Sequence, residues 1–144
     1  MQAALSLAKV GADKGDVPVG AIVVNEAGEI LGTGQNLREQ SNDPTAHAEV
    51  IAIRQAGEKI GSWRLDDLTI VVTLEPCAMC AGAIAQSRIK RLVFGAWDEK
   101  AGAVGSVMDV IRDPRTLTKV EVISGVLQHE SSELLNKFFK VKRL

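Results

Sequence analysis

Apolar residues recur along this chain in two rhythms that alternate from one segment to the next. Met1, Ala4, Leu5 and Ala8 follow the spacing of a helix face, and the stretch from Gly11 to Pro18 closes that segment. Val19-Gly20-Ala21-Ile22-Val23-Val24 is an apolar run of strand length. The turn residues Asn25-Glu26-Ala27-Gly28 follow it, and Ile30 to Gly34 reads as the returning strand of a hairpin. Asp43-Pro44-Thr45 signals a helix start, and Ala46 to Ile60 carries Val50, Ile51 and Ile53 at helical positions. Leu68 to Leu74 is β-branched almost throughout, as in a strand covered on both faces. A short helix is predicted from about Cys77 to Ser87, a strand from Arg91 to Gly95, a Gly-rich functional loop from Gly95 to Gly105, a strand near Val120 to Ile123, and a last helix from about Ser131 to Val141. A hairpin followed by alternating helices and strands predicts an α/β sandwich with a mixed sheet. No repeat or low-complexity tract interrupts the 144 residues, so one domain over 1–144 is expected.

Composition narrows the function classes. With 46% hydrophobic and 24% charged residues, the chain is neither poor in apolar groups nor dominated by charge, which excludes a disordered segment. No apolar run approaches about 18 residues, so no membrane span is expected. Seventeen Lys and Arg against eighteen Asp and Glu leave a formal charge of -1, which argues against loose, charge-driven binding of polyanions. The basic residues are nonetheless gathered, at Arg88, Lys90 and Arg91 and again at Lys137, Lys140, Lys142 and Arg143, so a small basic patch remains compatible. The two cysteines are too few for a disulfide scaffold, and Met1 to Leu7 has neither a basic nor a long apolar stretch of the signal-peptide kind. A reducing, cytoplasmic compartment is therefore expected, where paired cysteines point to metal or redox work.

Two short segments carry the candidate chemistry: His47-Ala48-Glu49 at the start of the second predicted helix and Pro76-Cys77-Ala78-Met79-Cys80 at the start of the third. Residues three apart on a helix lie about 60° apart around its axis, so Cys77 and Cys80 share a face and can grip one ion. His47 and Glu49, roughly 200° apart in mid-helix, can both face a metal only if His47 stands at the helix start. The N-termini of both helices would then favour thiolates and a bound hydroxide. Cys-x-x-Cys alone leaves a redox motif, a metal site and two buried thiols open. With one His and two Cys, three protein ligands leave the fourth position for water, as in catalytic zinc, and the neighbouring carboxylate of Glu49 suits a proton shuttle. A closed structural site would need His129 as a fourth ligand, but its surroundings read as a turn before the last helix. Glu75 reads as structural and Met79 as core or pocket wall.

His-x-Glu followed by Pro-Cys-x-x-Cys resembles the signature of the zinc-dependent nucleobase deaminases. The likeness extends through Val17 to Ala21, Asp43 to Glu49, Thr73 to Gly82, Ser87 to Ile89, Phe94 to Ala96, Gly105 to Asp109 and Leu134 to Phe139, in order over nearly the whole chain, and is similar to the bacterial tRNA-specific adenosine deaminase family. That resemblance implies a cytidine deaminase-like, three-layer α/β/α sandwich with about five strands. It implies one zinc per subunit on His47, Cys77 and Cys80, and hydrolytic conversion of the wobble adenosine of a tRNA anticodon loop to inosine. Zinc hydroxide would attack adenine C6, with Glu49 carrying the proton. It further implies a substrate site that includes Ala48, with Asn36 on the nucleoside, Val19 against the base and Asp98 at the neighbouring sugar. Phe138, Phe139 and Lys140 would meet the flanking RNA, and the family acts as a homodimer on a tRNA anticodon stem-loop.

Adjacent phenylalanines point about 100° apart on a helix, so one of Phe138 and Phe139 is expected to be buried and the other free to stack on a base. Against the family pattern Met1 falls inside the first helix, and Trp97 stands where a smaller or basic residue is expected. The signature by itself also fits a deaminase of free guanine, cytosine or cytidine. A non-enzymatic, zinc-stabilised RNA-binding module is the remaining alternative.

Overall fold

A computed structural model describes residues 1–142; Arg143, in the C-terminal basic run, lies outside the described residues. The elements in chain order are α1 (Gln2–Asp13), β1 (Gly20–Val24), β2 (Ile30–Gln35), α2 (Arg38–Ser41), α3 (Ala48–Ile60), β3 (Thr69–Leu74), α4 (Ala78–Gln86), β4 (Arg91–Ala96), β5 (Glu121–Ile123) and α5 (Gln128–Lys142). Hydrophobic spacing predicts each of these except α2, whose residues Arg38-Glu39-Gln40-Ser41 carry no apolar position to mark a face. The hairpin turn forms as its residues suggest: the Asn25 side chain accepts the amides of Ala27 at 3.1 Å and Glu29 at 2.9 Å.

The strands form one mixed sheet in the order β2-β1-β3-β4-β5. β1 runs antiparallel to β2 and β3, whereas β3, β4 and β5 are parallel. Helices α1 and α5 cover one face, and α3 covers the other with α4 packed beside it. This is a three-layer α/β/α sandwich. Alternation along the strands sorts the core: Ala21, Val23, Ile70, Val72, Leu92 and Phe94 join Ala48, Ala52, Ala81 and Ile84 in one buried cluster. Ile22 and Val71 point the opposite way, to the side where α1 buries Ala4, Leu5 and Ala8.

Small residues set how closely α3 approaches the sheet. It presents Ala48, Ala52 and Ala56, all fully buried, to Gly32 and Gly34 of β2, where a Cβ would collide with the carbonyls of Ala52 and Ala48. The parallel strands β3 and β4 end side by side, with Leu74 opposite Ala96. Beyond their carboxyl ends lies the crevice that open α/β sheets use for ligands, and α4 starts there, directly after β3.

Candidate active site

The approach to α3 is shaped by Asp43, whose Oδ1 accepts the Thr45 amide at 2.8 Å and the Thr45 hydroxyl at 2.7 Å. This local turn competes with helix, so α3 begins at Ala48 rather than at Ala46. His47 is thereby its N-cap, in extended conformation with φ -79 and ψ 150. The conflict between His47 and Glu49 on one helix is resolved in this way, because only Glu49 is helical. Cys77 is likewise the N-cap of α4, with Cys80 inside its first turn.

Thirty residues of chain separate the two caps, yet His47 Nδ1 stands 3.6 Å from Cys77 Sγ and 3.5 Å from Cys80 Sγ. All three donor atoms lie within 4.8 Å of one another. Zinc bonds of about 2.3 Å to sulfur and about 2.0–2.1 Å to nitrogen, at a tetrahedral angle, require a sulfur–nitrogen spacing of about 3.6 Å. The donor set and its spacing fit zinc. His129 is not part of this group. It sits inside α5 rather than in a turn before it, with Nε2 3.6 Å from Glu133 Oε2, because α5 starts at Gln128 rather than near Ser131.

Hydrogen bonding from Cys80 pulls the Cys77 thiol down to about 3 against the opposing effect of burial, with help from His47. The same Cys77–Cys80 contact, together with burial, pushes Cys80 up. The hydrogen bond to Cys77 raises the His47 pKa although burial opposes it. A cation gripped by both sulfurs would require Cys80 to give up its proton as well. Glu49 is only 4% exposed, and its burial raises the carboxyl pKa above the ordinary range.

A cleft of about 970 Å³ opens over these groups, and His47, Ala48, Glu49 and Cys77 form its floor. Val19 and Asn36 line one wall. The Asn36 carboxamide is oriented by donating from Nδ2 to Val17 O at 3.3 Å and accepting the Arg38 amide at Oδ1 at 3.2 Å. Asp98 also reaches the cleft, although its Oδ1 already accepts the amides of Lys100 at 3.0 Å and Ala101 at 3.3 Å. On α5, Phe139 lines the cleft and is 42% exposed, whereas Phe138 is half-buried, off the cleft, edge-on to Phe139 with ring centroids 5.5 Å apart. Neither ring is fully buried, contrary to the expectation for one of them, because α5 buries only Ser131 completely. Lys140 is exposed and stands outside the cleft lining. Met79 is 38% exposed, neither core nor cleft wall, because it projects from the outer side of the first turn of α4.

Several cleft residues escape sequence reasoning. Gln128, Ser132, Leu135 and Asn136 reach it because of the way α5 docks on β4. Arg38 stands on the rim at the start of α2. The buried Asp16 carboxylate holds that turn by accepting the amide of Glu39 at 2.8 Å and the Gln40 side chain at 2.9 Å. Glu75 is structural, as the sequence suggests. Burial would raise its pKa, but hydrogen bonds from the Ser106 hydroxyl and the amides of Asp98, Val104 and Ser106 outweigh that and lower it.

The sequence profile of the MafB19-like deaminases matches residues 1–143. A tRNA-specific adenosine deaminase of Haemophilus influenzae is 50% identical over 143 residues, covering 99% of this chain and 83% of that protein. Among solved structures, one from a study of A-to-I editing by tRNA:A34 deaminases at the wobble position of transfer RNA superposes with a TM-score of 0.90 at 41% identity, over 94% of this chain and 97% of that one. A guanine deaminase from Bacillus subtilis reaches a TM-score of 0.65 at 35% identity, over 99% of this chain and 91% of that one. With a deaminase profile spanning it end to end, this chain belongs to the MafB19-like deaminase family and is a relative of the tRNA-specific adenosine deaminases.

Proposed function

We propose that the protein, working as one deaminase domain, converts the wobble adenosine of a tRNA anticodon loop to inosine, with water consumed and ammonia released. The observation that carries this reading is the convergence of His47, Cys77 and Cys80, at tetrahedral spacing, with the buried carboxylate of Glu49 on the floor of one cleft. These three residues would hold zinc, which when bound lowers the pKa of a water from 15.7 to about 7. Glu49 accepts one proton from the attacking water and delivers it to the adenine ring nitrogen; it then takes the second from the new C6 hydroxyl and passes it to the amine, which leaves as ammonia while the carbonyl forms. Burial of Glu49 keeps bulk water away from that transfer. Asn36, fixed by Val17 and Arg38, still has one amide hydrogen and acceptor capacity for the nucleoside, and Val19 offers an apolar wall to the flipped base. Ala48 closes the floor, and Asp98 has one carboxylate oxygen left for the neighbouring sugar.

The partner on this reading is an anticodon stem-loop, met by Phe139 through stacking and by Phe138, Lys140 and Lys142 along the outer side of α5. Action in the cytoplasm follows from the substrate. A homodimer belongs to the same reading, supported by the exposed apolar side chains Met79, Val107 and Met108. Among the described residues no helix is long and apolar enough to cross a membrane.

The test incubates zinc-loaded protein with an anticodon stem-loop bearing adenosine at the wobble position and, separately, with guanine, cytosine, cytidine and adenosine. Inosine in the stem-loop alone is the expected result. Turnover of guanine with an untouched stem-loop would move the protein to the chemistry of its guanine deaminase relative. Binding without turnover of any substrate would leave a zinc-stabilised RNA-binding module.

A further inference from the structure

Glu75 follows the last residue of β3, is 2% exposed, and directs every hydrogen bond of its carboxylate at a single loop. Oε1 accepts the Asp98 amide at 3.0 Å and the Ser106 hydroxyl. Oε2 accepts the amides of Val104 at 2.9 Å and Ser106 at 3.1 Å. Among the described residues no lysine, arginine or histidine forms an ion pair with it. Gly102 passes directly over the carboxyl group, where any Cβ would collide with it and with Asp98 O. The loop therefore wraps an anion at the same time as it buries Ala103 and Val104 in the core and sets Trp97 edge-on to Phe94. Removing the negative charge weakens all four hydrogen bonds and leaves the buried Val104 amide without its charged acceptor.

The same loop carries Trp97, Asp98, Lys100 and Ser106 into the cleft, while Glu75 lies two residues before Cys77 on the same stretch of chain. One carboxylate thus ties the rim of the cleft to its floor. We propose that Glu75 is a positioning residue for the nucleic-acid substrate: it acts through Trp97 and Asp98 to hold the rim where the nucleotides flanking the reacting base must lie. This rests on the reading above and adds a determinant of substrate affinity to it.

Glu75→Gln keeps the size of the side chain but replaces one acceptor by a donor facing the loop amides. KM for the anticodon stem-loop should rise about tenfold, the effect of losing one hydrogen bond to a charged group. Turnover at saturation should stay within about twofold, with zinc content unchanged. Ser106→Ala removes a single donor without disturbing the carboxylate, and should shift KM in the same direction by less. The chain has two tryptophans, so a Trp63→Phe background isolates the emission of Trp97. Glu75→Gln in that background should make Trp97 more accessible to acrylamide quenching. An unchanged KM, a fall in kcat at constant KM, or loss of zinc would each overturn the proposal, the last by showing that Glu75 supports Cys77 instead. If Glu75→Gln fails to fold, the KM of Ser106→Ala decides. If the unaltered protein leaves the stem-loop untouched, the function proposed above fails, and Trp97 quenching still reports whether Glu75 holds the rim.

Discussion

Gly34 of β2 lies beneath the carbonyl of Ala48, so close that a Cβ on Gly34 would collide with it and stand 2.9 Å from the Ala52 amide. Ala48 directly follows His47, so this contact sets the height of that histidine above the sheet. Gly34→Ala should push the start of α3 outward and destabilise the fold by about 1–3 kcal/mol, as overpacking does. Gly82→Ala in the middle of α4, where nothing lies within 4 Å of an added Cβ, should raise stability by up to about 1 kcal/mol. Thermal unfolding of the pair checks the opposite signs. Zinc titration should find weaker binding for Gly34→Ala only.

Chelation should lower the melting temperature and abolish activity together, because an ion that binds only the folded chain adds to its stability. Cys77→Ala and Cys80→Ala should lose zinc in elemental analysis. His129→Ala should retain it, since that ring faces Glu133 on the exposed side of α5. Zinc loss in His129→Ala would turn the site into a closed structural one.

Glu49→Ala should keep about one zinc per chain and lose at least about 10²- to 10⁴-fold in turnover, the usual share of general acid–base catalysis. Glu49 is not one of the three clustered donors, so metal content and rate should separate. Simultaneous loss of both would make Glu49 a ligand and remove its role as proton carrier.

Phe139→Ala should weaken stem-loop binding by about 1–3 kcal/mol if its exposed ring stacks on a base. Phe138→Ala should cost less, because that ring lies off the cleft. Lys140→Glu with Lys142→Glu should weaken binding and flatten the dependence of log K on log salt by about 1.4, for two contacts to a single strand. Equal effects of the two phenylalanines, or an unchanged salt slope, would move the RNA away from this face of α5.

The order of strands and long helices was legible in the chain because hydrophobic period is a local property. The same holds for the donors: Cys77 and Cys80 share a helical turn whatever surrounds them, and the Asp43 turn places a helix start close to His47. The short α2 was not legible, since a four-residue turn held by the distant Asp16 has no periodic face of its own. Nor was the exposure of Met79, because position in a helix does not say which side meets the sheet.

What the sequence alone determined is therefore the donor set, one histidine and two cysteines that could hold a metal beside a carboxylate, and the elements that carry it. Only the tertiary structure decided which side chains surround that chemistry. Phe139 rather than Phe138 lines the cleft because α5 docks with Ser131 against the bare backbone of Gly95, where a Cβ would stand 2.5 Å from the Ser131 hydroxyl oxygen. Glu75 governs the cleft rim because its carboxylate is buried among the amides of residues 98–106, more than twenty positions away in the chain. Helical spacing follows from bond geometry within a few residues, whereas docking and burial depend on segments that meet only after the chain has folded.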